Sequence, residues 1–465
     1  MFKKILIANR GEIAVRIIRT CREMGISTAT VYSEVDADSL HVRLADEAYP
    51  IGSSETVNSY LNTKKILDVA HACQADAIHP GYGFLAENPA FVEMCEQQGL
   101  TFIGPPSQAM SKVKPKYAAR NLMKLLNIPI VPGHDQALTG ETKKKFTRIK
   151  EVAENIGYPV IVKPSGGGGG IGMTIARNPE DLDKAVRLVE DRGQKLFGIS
   201  SFYIEKYLPS MKHIEFQVLA DKYGNVIHLG ERDCSIQRRF QKLIEESPCS
   251  ILSPHLRMKM GAAALDIALA MKYVNAMTVE FFHVPGTQEF YFNEVNTRLQ
   301  VEHCVTELVT DVDIVKEQIK IAAGEKLSYT QDEVTRHGWS IECRITAENV
   351  ALNFLPSPGQ ITRLHLPHGL GLRIDEGIYE GYDVPFYYDP LLLKMMTWGK
   401  TRDEAILRMK RAINELRIEG ITTNIPFHQV ALAEEEFNSG WYTTDFIEKQ
   451  QIIKKVRELM KKAKE

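Results

Sequence analysis

The stretch Glu294-Val295-Asn296-Thr297-Arg298-Leu299-Gln300-Val301-Glu302-His303 places two carboxylates, two amides and a guanidinium at alternate positions. In an extended backbone, side chains two apart share a face. Glu294, Asn296, Arg298, Gln300 and Glu302 are therefore predicted to line one strand face, with Phe290 and Phe292 upstream at the same parity. Carboxylate and amide oxygens are what hard divalent cations take, and a guanidinium forks an oxyanion. An ordinary solvated strand face carries Thr, Ser and Lys, and this row has none. The row reads as a reaction site that sets metal-ligand residue types around a group suited to an oxyanion.

Two further segments complete that chemistry. Glu280, in Met277-Thr278-Val279-Glu280-Phe281, lies one hairpin away from Glu294 across Pro285-Gly286. Two facing carboxylates with Asn296 nearby form an oxygen set for Mg²⁺, which takes one or two carboxylates plus substrate phosphates. Ile161-Val162-Lys163-Pro164-Ser165 runs into the glycines Gly166 to Gly170 and then Ile171-Gly172-Met173. Consecutive glycines are costly to order, and they suit a loop whose backbone N–H groups must approach phosphate oxygens closely. Gly-Lys-Ser/Thr is absent, so Lys163 on the preceding strand, or Lys116, has to supply the cation. Together these residues describe a nucleotide-phosphate site with a divalent metal.

His79-Pro80-Gly81-Tyr82-Gly83-Phe84-Leu85-Ala86-Glu87-Asn88 is predicted to be a tight turn displaying His79, Tyr82 and Glu87. Glu231 to Lys242 brings three arginines and a lysine next to acidic residues, and its Cys, Ile, Gln and Phe favour partial burial near anions over a solvated charge run.

The elements that must position these groups follow from periodicity. Residues 1 to about 110 alternate β-type runs (Ile5 to Ala8, Ser27 to Tyr32, Ala77-Ile78, Thr101 to Ile103) with helix-type runs such as Glu12 to Met24. Such alternation predicts a parallel, Rossmann-like α/β sheet. Its first turn, Asn9-Arg10-Gly11-Glu12, lacks Gly-x-Gly-x-x-Gly, which disfavours a nicotinamide cofactor. Pro105-Pro106 and the basic stretch Lys112 to Lys116 mark a boundary, and Lys143-Lys144-Lys145 is expected in a solvated segment leading to a helix. A small middle domain over about 130 to 205 is followed by mixed strands and helices. In the tail, Ile452, Ile453, Val456, Leu459 and Met460 recur at helical spacing as a packing face.

With 465 residues the chain suggests about three domains. Its 57 Lys plus Arg against 59 Asp plus Glu give a net charge of -2, so no global field recruits nucleic acid or an anionic membrane. Seven scattered cysteines without Cys-x-x-Cys argue against disulfides or structural zinc. With no export signal or membrane-length apolar run, a reducing cytoplasm is the expected location.

Asn9-Arg10-Gly11-Glu12-Ile13-Ala14, His79 to Asn88, Lys163 to Met173, Glu231 to Lys242, Glu294 to His303 and Phe354 to Gly359 together resemble the biotin carboxylase family of the ATP-grasp superfamily, over about residues 1 to 445. The resemblance implies a Rossmann-like N-terminal domain (1–114) and an ATP-grasp domain (115–330) with a mobile lid (130–205). A mixed α/β C-terminal domain (331–446) and a helical tail (447–465) complete the implied division. It implies an ATP- and bicarbonate-dependent ligase that makes carboxyphosphate and carboxylates biotin on a biotin carboxyl carrier protein. The carrier and a carboxyltransferase subunit would be separate polypeptides, and the chain a homodimer.

The family's roles carry over to this sequence as follows. Lys116, Lys163 and His213 would meet the ATP phosphates, Gly168, Gly169, Gly170, Met173 and Gln237 would also bind ATP, and Glu205, Lys206 and Leu208 would line the adenine pocket. Glu280, Glu294 and Asn296 would bind Mg²⁺ or Mn²⁺, with Glu280 also near ATP. Arg298, Gln300 and the Val301 backbone would hold bicarbonate, with Glu302 as its base. Lys242 would bind carboxyphosphate, Arg344 would stabilise an enolate-like biotin anion, and Tyr82 would touch biotin.

The chain departs from the family pattern at Ile171 (often basic), Lys114-Pro115 (often Gly-Asp), Phe240 (often His or Asn) and Cys304 (usually Pro). Met258-Lys259-Met260 mimics a biotin attachment site, but Leu256 to Ala270 has helical periodicity where an acceptor lysine needs a β hairpin. Two other readings compete. One is a different ATP-grasp ligase, which does not require the row Arg298 to Glu302 together with Arg344. The other is a nucleotide-binding homologue without turnover, which the intact Glu280, Glu294, Arg298, Glu302 and Arg344 oppose.

Overall fold

Ile5, Leu6 and Ile7 are buried on both faces of their strand, the pattern of a parallel sheet covered by helices on each side. In the computed structural model, which describes residues 1–113, 116–134, 138, 143–165 and 172–462, five parallel strands form this sheet. They are β1 (Lys4–Ile7), β2 (Ser27–Ser33), β3 (Glu47–Gly52), β4 (Ala77–His79) and β5 (Thr101–Phe102), in the order β3-β2-β1-β4-β5. The order reverses beside β1, so the carboxyl ends of β1 and β4 open a crevice. Asn9 closes it by donating to the carbonyls of Pro80 (2.6 Å) and Tyr82 (2.8 Å). Helix Gly11–Glu23 starts there, close to its predicted span.

β6 (Val160–Pro164), β7 (Thr174–Ala176) and β8 (Phe202–Lys206) form a small antiparallel sheet in the order β7-β6-β8. Its apolar face, with Val160, Val162, Phe202 and Ile204, packs on Ile149, Ala153, Leu182 and Val186 of helices Lys143–Ile156 and Pro179–Phe197 as a core of its own. Lys143 to Lys145 open the first of those helices instead of preceding it as expected.

The third sheet spans the remainder of the chain. β9 (Lys212–Ala220), β10 (Val226–Arg238), β11 (Gln241–Ser247), β12 (Asn275–His283), β13 (Phe290–Asn296), β14 (Trp339–Thr346), β15 (Leu372–Glu376) and β16 (Leu391–Gly399) are antiparallel throughout. Their order is β13-β12-β9-β10-β11-β14-β16-β15. Helix Pro254–Met271 packs Leu256, Met260 and Ile267 against Phe216, Met277 and Phe281 of this sheet. Lys259 lies exposed on that helix, as its periodicity predicted. In the tail, helix Ile452–Lys462 buries Ile452 and Val456. All seven cysteines are free and buried.

Two expectations need correction. β13 ends at Asn296, and residues 297–302 leave the strand in an irregular turn before helix His303–Thr310. The row from Glu294 to Glu302 is therefore not one strand face. Phe290 and Phe292 also do not share a face with Glu294. Phe292 pairs with Phe281 and Glu294 with Glu280, so a bulge at Asn293 switches faces between them. The phenylalanines stay in the core and the carboxylate turns to the other side.

At Gly377, a Cβ would lie 2.7 Å from the Glu12 backbone nitrogen and 3.0 Å from the Gly11 carbonyl carbon. The C-terminal part of the chain thus meets the first helix backbone to backbone. Gly377→Ala is expected to cost about 1–3 kcal/mol by overpacking, read as a lower urea midpoint; an unchanged midpoint would contradict that contact.

Candidate active site

Directly opposed residues of antiparallel strands point to the same face, and the register of the third sheet sets charged residues in two transverse rows. Across β13, β12, β9 and β10 run Glu294, Glu280, Glu215 and Arg232. Across β14, β16 and β15 run Arg344, Lys394 and Asp375, with Glu245 opposite Glu342 one step along. Lys242 stands between the rows. Gln237 pairs with Lys242 while Ile236 pairs with Ile244, so a bulge at Leu243 rotates the ammonium onto the charged face. Helix His303–Thr310 covers part of this face, where Cys304 and Val305 pack on Met396.

Three buried carboxylates meet at Lys242 Nζ: Glu215 at 2.5 Å, Glu280 at 3.0 Å and Glu302 at 2.6 Å. Glu302, the last residue before the helix, also accepts from Arg344 at 2.9 Å, and Arg344 Nε donates to Glu245 at 2.6 Å. Burial pushes the Glu302 carboxyl up, but Lys242, Arg344 and Arg232 outweigh it and hold it well below the usual range. The same contest leaves Glu280 strongly lowered, with burial overcome by Lys242 and His213. His213 Nε2 lies 2.8 Å from Glu280, and this partner outweighs burial and raises the imidazole. Burial wins at Glu245, which is pushed up to about 7.

The other predicted residues fall around this centre. Gln237 Nε2 lies 3.3 Å from His213 Nδ1. Asn296 and Gln300 donate to Glu280 Oε1 at 2.9 and 3.4 Å. Arg298 forks between Glu87 (3.0 Å), the Leu299 carbonyl (3.0 Å) and Gln300 Oε1 (3.3 Å). Thr297 N–H also donates to Glu87, at 3.1 Å, which is why the chain turns here and does not run on as a strand. Tyr82 donates its hydroxyl to Glu12. His79 is not displayed as expected. It is fully buried, its Nδ1 accepts from Gly81 N–H at 3.1 Å, and burial pushes it down to about 3.

In the small sheet, Lys163 pairs with Glu205 at 2.5 Å, and Arg120 reaches Glu205 at 3.3 Å. Lys206 Nζ donates to the carbonyls of Gly157 and Tyr158, both at 2.9 Å, and Leu208 follows half-buried. Met173 is half-buried beside the glycine run. Gly168, Gly169, Gly170, Ile171, Pro115 and the Lys116 side chain lie outside the described residues. Phe240 and Arg239 form the tip of the β10–β11 hairpin with positive φ of 69° and 48°.

Glu215, Arg232, Glu245, Glu342, Lys394 and Glu12 belong to this network and were not predicted. The signals were present in part. His213, Glu215 and Gln217 alternate with Ile214, Phe216 and Val218, and Lys394 interrupts the apolar run Leu391 to Met396.

The donor set fits a hard divalent ion. Glu280 and Glu294 are directly opposed across β12 and β13, which sets two carboxylates side by side on one edge. Asn296 adds an amide to the same edge. Lys242→Met would leave three buried carboxylates facing one another, raising at least one pKa above its unfolded value. A raised carboxyl lowers stability as pH climbs from the unfolded to the folded pKa. The melting temperature of Lys242→Met is thus expected to fall between pH 5 and pH 8 relative to the parent chain, on the order of 3 kcal/mol in stability at the upper end. A pH-independent difference in thermal unfolding would contradict the three-carboxylate contact.

Comparison with known proteins agrees with this geometry. The chain matches the family described as Biotin carboxylase, N-terminal domain, over residues 1–110. Residues 115–330 match Carbamoyl-phosphate synthase L chain, ATP binding domain, and residues 342–449 match Biotin carboxylase C-terminal domain. It is 53% identical over 453 residues to Biotin carboxylase 1 of Bacillus subtilis, covering 97% of this chain and 100% of that protein. It is 46% identical over 448 residues to the 2-oxoglutarate carboxylase small subunit of Hydrogenobacter thermophilus, covering 96% of this chain and 93% of that one. Among solved structures, the biotin carboxylase domain dimer of Hydrogenobacter thermophilus 2-oxoglutarate carboxylase, in complex with MgADP, ADP and bicarbonate, superposes with a TM-score of 0.93 at 45% identity, covering 97% of this chain and 98% of that one. By register, by site and by these likenesses, the chain belongs to the biotin carboxylase family.

Proposed function

We propose that this face of the sheet phosphorylates bicarbonate with ATP and passes the resulting carboxyl group to biotin held on a separate carrier protein. The observation that carries the reading is Lys242, whose ammonium touches both Glu280 of the predicted metal set and Glu302 of the predicted bicarbonate turn. A phosphate site and an oxyanion site are thereby adjacent, as transfer between them requires. Another ATP-grasp ligase has no need of Arg298 in this turn together with Arg344 on Glu302.

Lys116, Lys163, His213 and Gln237 would hold the ATP phosphates, and Glu205, Lys206 and Leu208 the adenine, once Lys163 exchanges Glu205 for phosphate. Glu280, Glu294 and Asn296 would hold Mg²⁺ or Mn²⁺, which when bound supplies charge neutralisation at the transferred phosphoryl group. Arg298, Gln300 and the Val301 backbone orient bicarbonate. Glu302 takes its proton as the bicarbonate oxygen attacks the γ-phosphorus and ADP leaves.

With its carboxyl held so low by Lys242 and Arg344, Glu302 is a poor base in the ligand-free site. Anionic substrates compete for those two cations, and their withdrawal raises Glu302 toward the range a base needs. Carboxyphosphate, held by Lys242, breaks down to CO₂ and phosphate. The phosphate accepts the biotin N1′ proton, Arg344 faces the charge developing on the ureido oxygen, and Tyr82 touches biotin.

The residue spans 1–114, 115–330 with a lid at 130–205, 331–446 and 447–465 are read as the working domains. The chain acts as a homodimer in the cytoplasm beside a biotin carboxyl carrier protein and a carboxyltransferase subunit. That second enzyme chooses the final acceptor, an acyl-CoA or an oxoacid. Among the described residues no helix is long and apolar enough to cross a membrane.

ADP release by the purified chain is expected to require Mg²⁺-ATP and bicarbonate and to rise with free biotin. Biotin stimulation that persists without bicarbonate would contradict the reading. Glu302→Gln is expected to lower bicarbonate-dependent ADP release by at least about 100-fold, within the scale of general-base loss, with ATP binding by calorimetry retained; unchanged turnover would remove Glu302 from the base role.

A further inference from the structure

Lys394 carries an ammonium that is 0% exposed and outside the carboxylate cluster at Lys242. Burying such a charge is costly unless its three N–H donors all find partners. Here two hydrogen bonds and one ion pair join the ammonium to three different parts of the chain. Lys394 Nζ donates to the Val301 carbonyl at 2.9 Å, lies 3.3 Å from Cys304 Sγ, and pairs with Glu12 Oε2 at 3.2 Å. The Cys304 thiol is itself 3.3 Å from Asp375 Oδ2. Val301 is in the turn that carries Arg298, Gln300 and Glu302, and Cys304 is in the helix that follows. Glu12 is in the first helix, where its other oxygen accepts the Tyr82 hydroxyl. Lys394 is also directly opposite Arg344 across β14 and β16.

Each of these supports is firm on the far side. Glu12 is buried, and its backbone rests against Gly377 too closely for any Cβ there. Glu342 lies on the same sheet face, two residues from Arg344 along β14, and adds a further buried carboxyl near the ammonium.

We propose that Lys394 is a positioning residue that couples the bicarbonate turn, through Val301, to the biotin contact Tyr82, through Glu12. The inference rests on the roles given above to Arg298–Glu302 and Tyr82. Lys394 touches none of the reacting groups. It fixes the distance between the place where the carboxyl donor forms and the place where biotin waits, so a shift at either end is felt at the other.

The test uses the full chain and free biotin. Lys394→Met keeps the length of the side chain and removes its charge and donors. Its KM values for bicarbonate and for biotin are each expected to rise at least about tenfold, with KM for ATP within about twofold of the parent, because Lys163 and Glu205 lie in the small sheet and His213 rests on Glu280 and Gln237, none of them a partner of Lys394. A general structural defect would move all three together. Glu12→Gln still accepts from Tyr82 but loses the ion pair, and is expected to raise KM for biotin more than KM for bicarbonate.

In a double-mutant cycle, Glu12→Gln with Tyr82→Phe is expected to lower kcat/KM for biotin by clearly less than the product of the single effects. Parent-like KM values in a folded Lys394→Met, or multiplicative effects in the cycle, would overturn the coupling. If Lys394→Met does not fold, the Glu12–Tyr82 cycle decides the matter alone. A parent chain whose ADP release ignores bicarbonate would instead overturn the function on which the inference stands.

Discussion

One buried ammonium among three buried carboxylates is the constraint on which the site depends. Glu215, Glu280 and Glu302 arrive from two strands and a helix start, and Lys242, at 2.5 to 3.0 Å from each, is the cation that all three share. The bulge at Leu243 is therefore a functional element, since it alone turns Lys242 to the charged face. The bulge at Asn293 does the same for Glu294, separating it from the core phenylalanines. Two one-residue irregularities turn Lys242 and Glu294 onto one face of the sheet and complete the reaction surface there.

The cations of the site are paired by the protein's own carboxylates. Lys242, Arg344, Arg298 and Lys163 each rest on a carboxylate: Glu302, Glu245, Glu87 and Glu205. On the function proposed above, phosphate and bicarbonate would enter by exchange, taking a cation from a carboxylate that is already in place. The cost of desolvating the charges falls on folding, and binding has only to swap partners. Glu302 gains basicity from the same exchange.

Much of this was legible in the sequence where the interactions are local or set by hairpin register. Glu280 opposite Glu294 follows from a short hairpin at Pro285-Gly286, and the structure pairs them directly. The parallel first sheet, the helix around Lys259 and the packing face of the tail follow from periodicity. The path of residues 297–302 was not legible, because Glu87, some 210 positions earlier, takes the Thr297 N–H and the Arg298 guanidinium and bends the chain away from a strand. His79 reads as a displayed histidine but ends a buried strand. Glu12, Glu245 and Lys394 acquire their meaning from partners far away in the chain, Lys394, Arg344 and Val301 among them, which local spacing does not encode.

The most direct test of the account follows the oxygen atoms. With bicarbonate labelled with ¹⁸O, the account predicts that one label appears in the inorganic phosphate released in step with ADP, because a bicarbonate oxygen attacks the γ-phosphorus and stays on it. Phosphate that carries oxygen from water and none from bicarbonate would contradict carboxyphosphate, and with it the roles given to Arg298, Lys242 and Glu302.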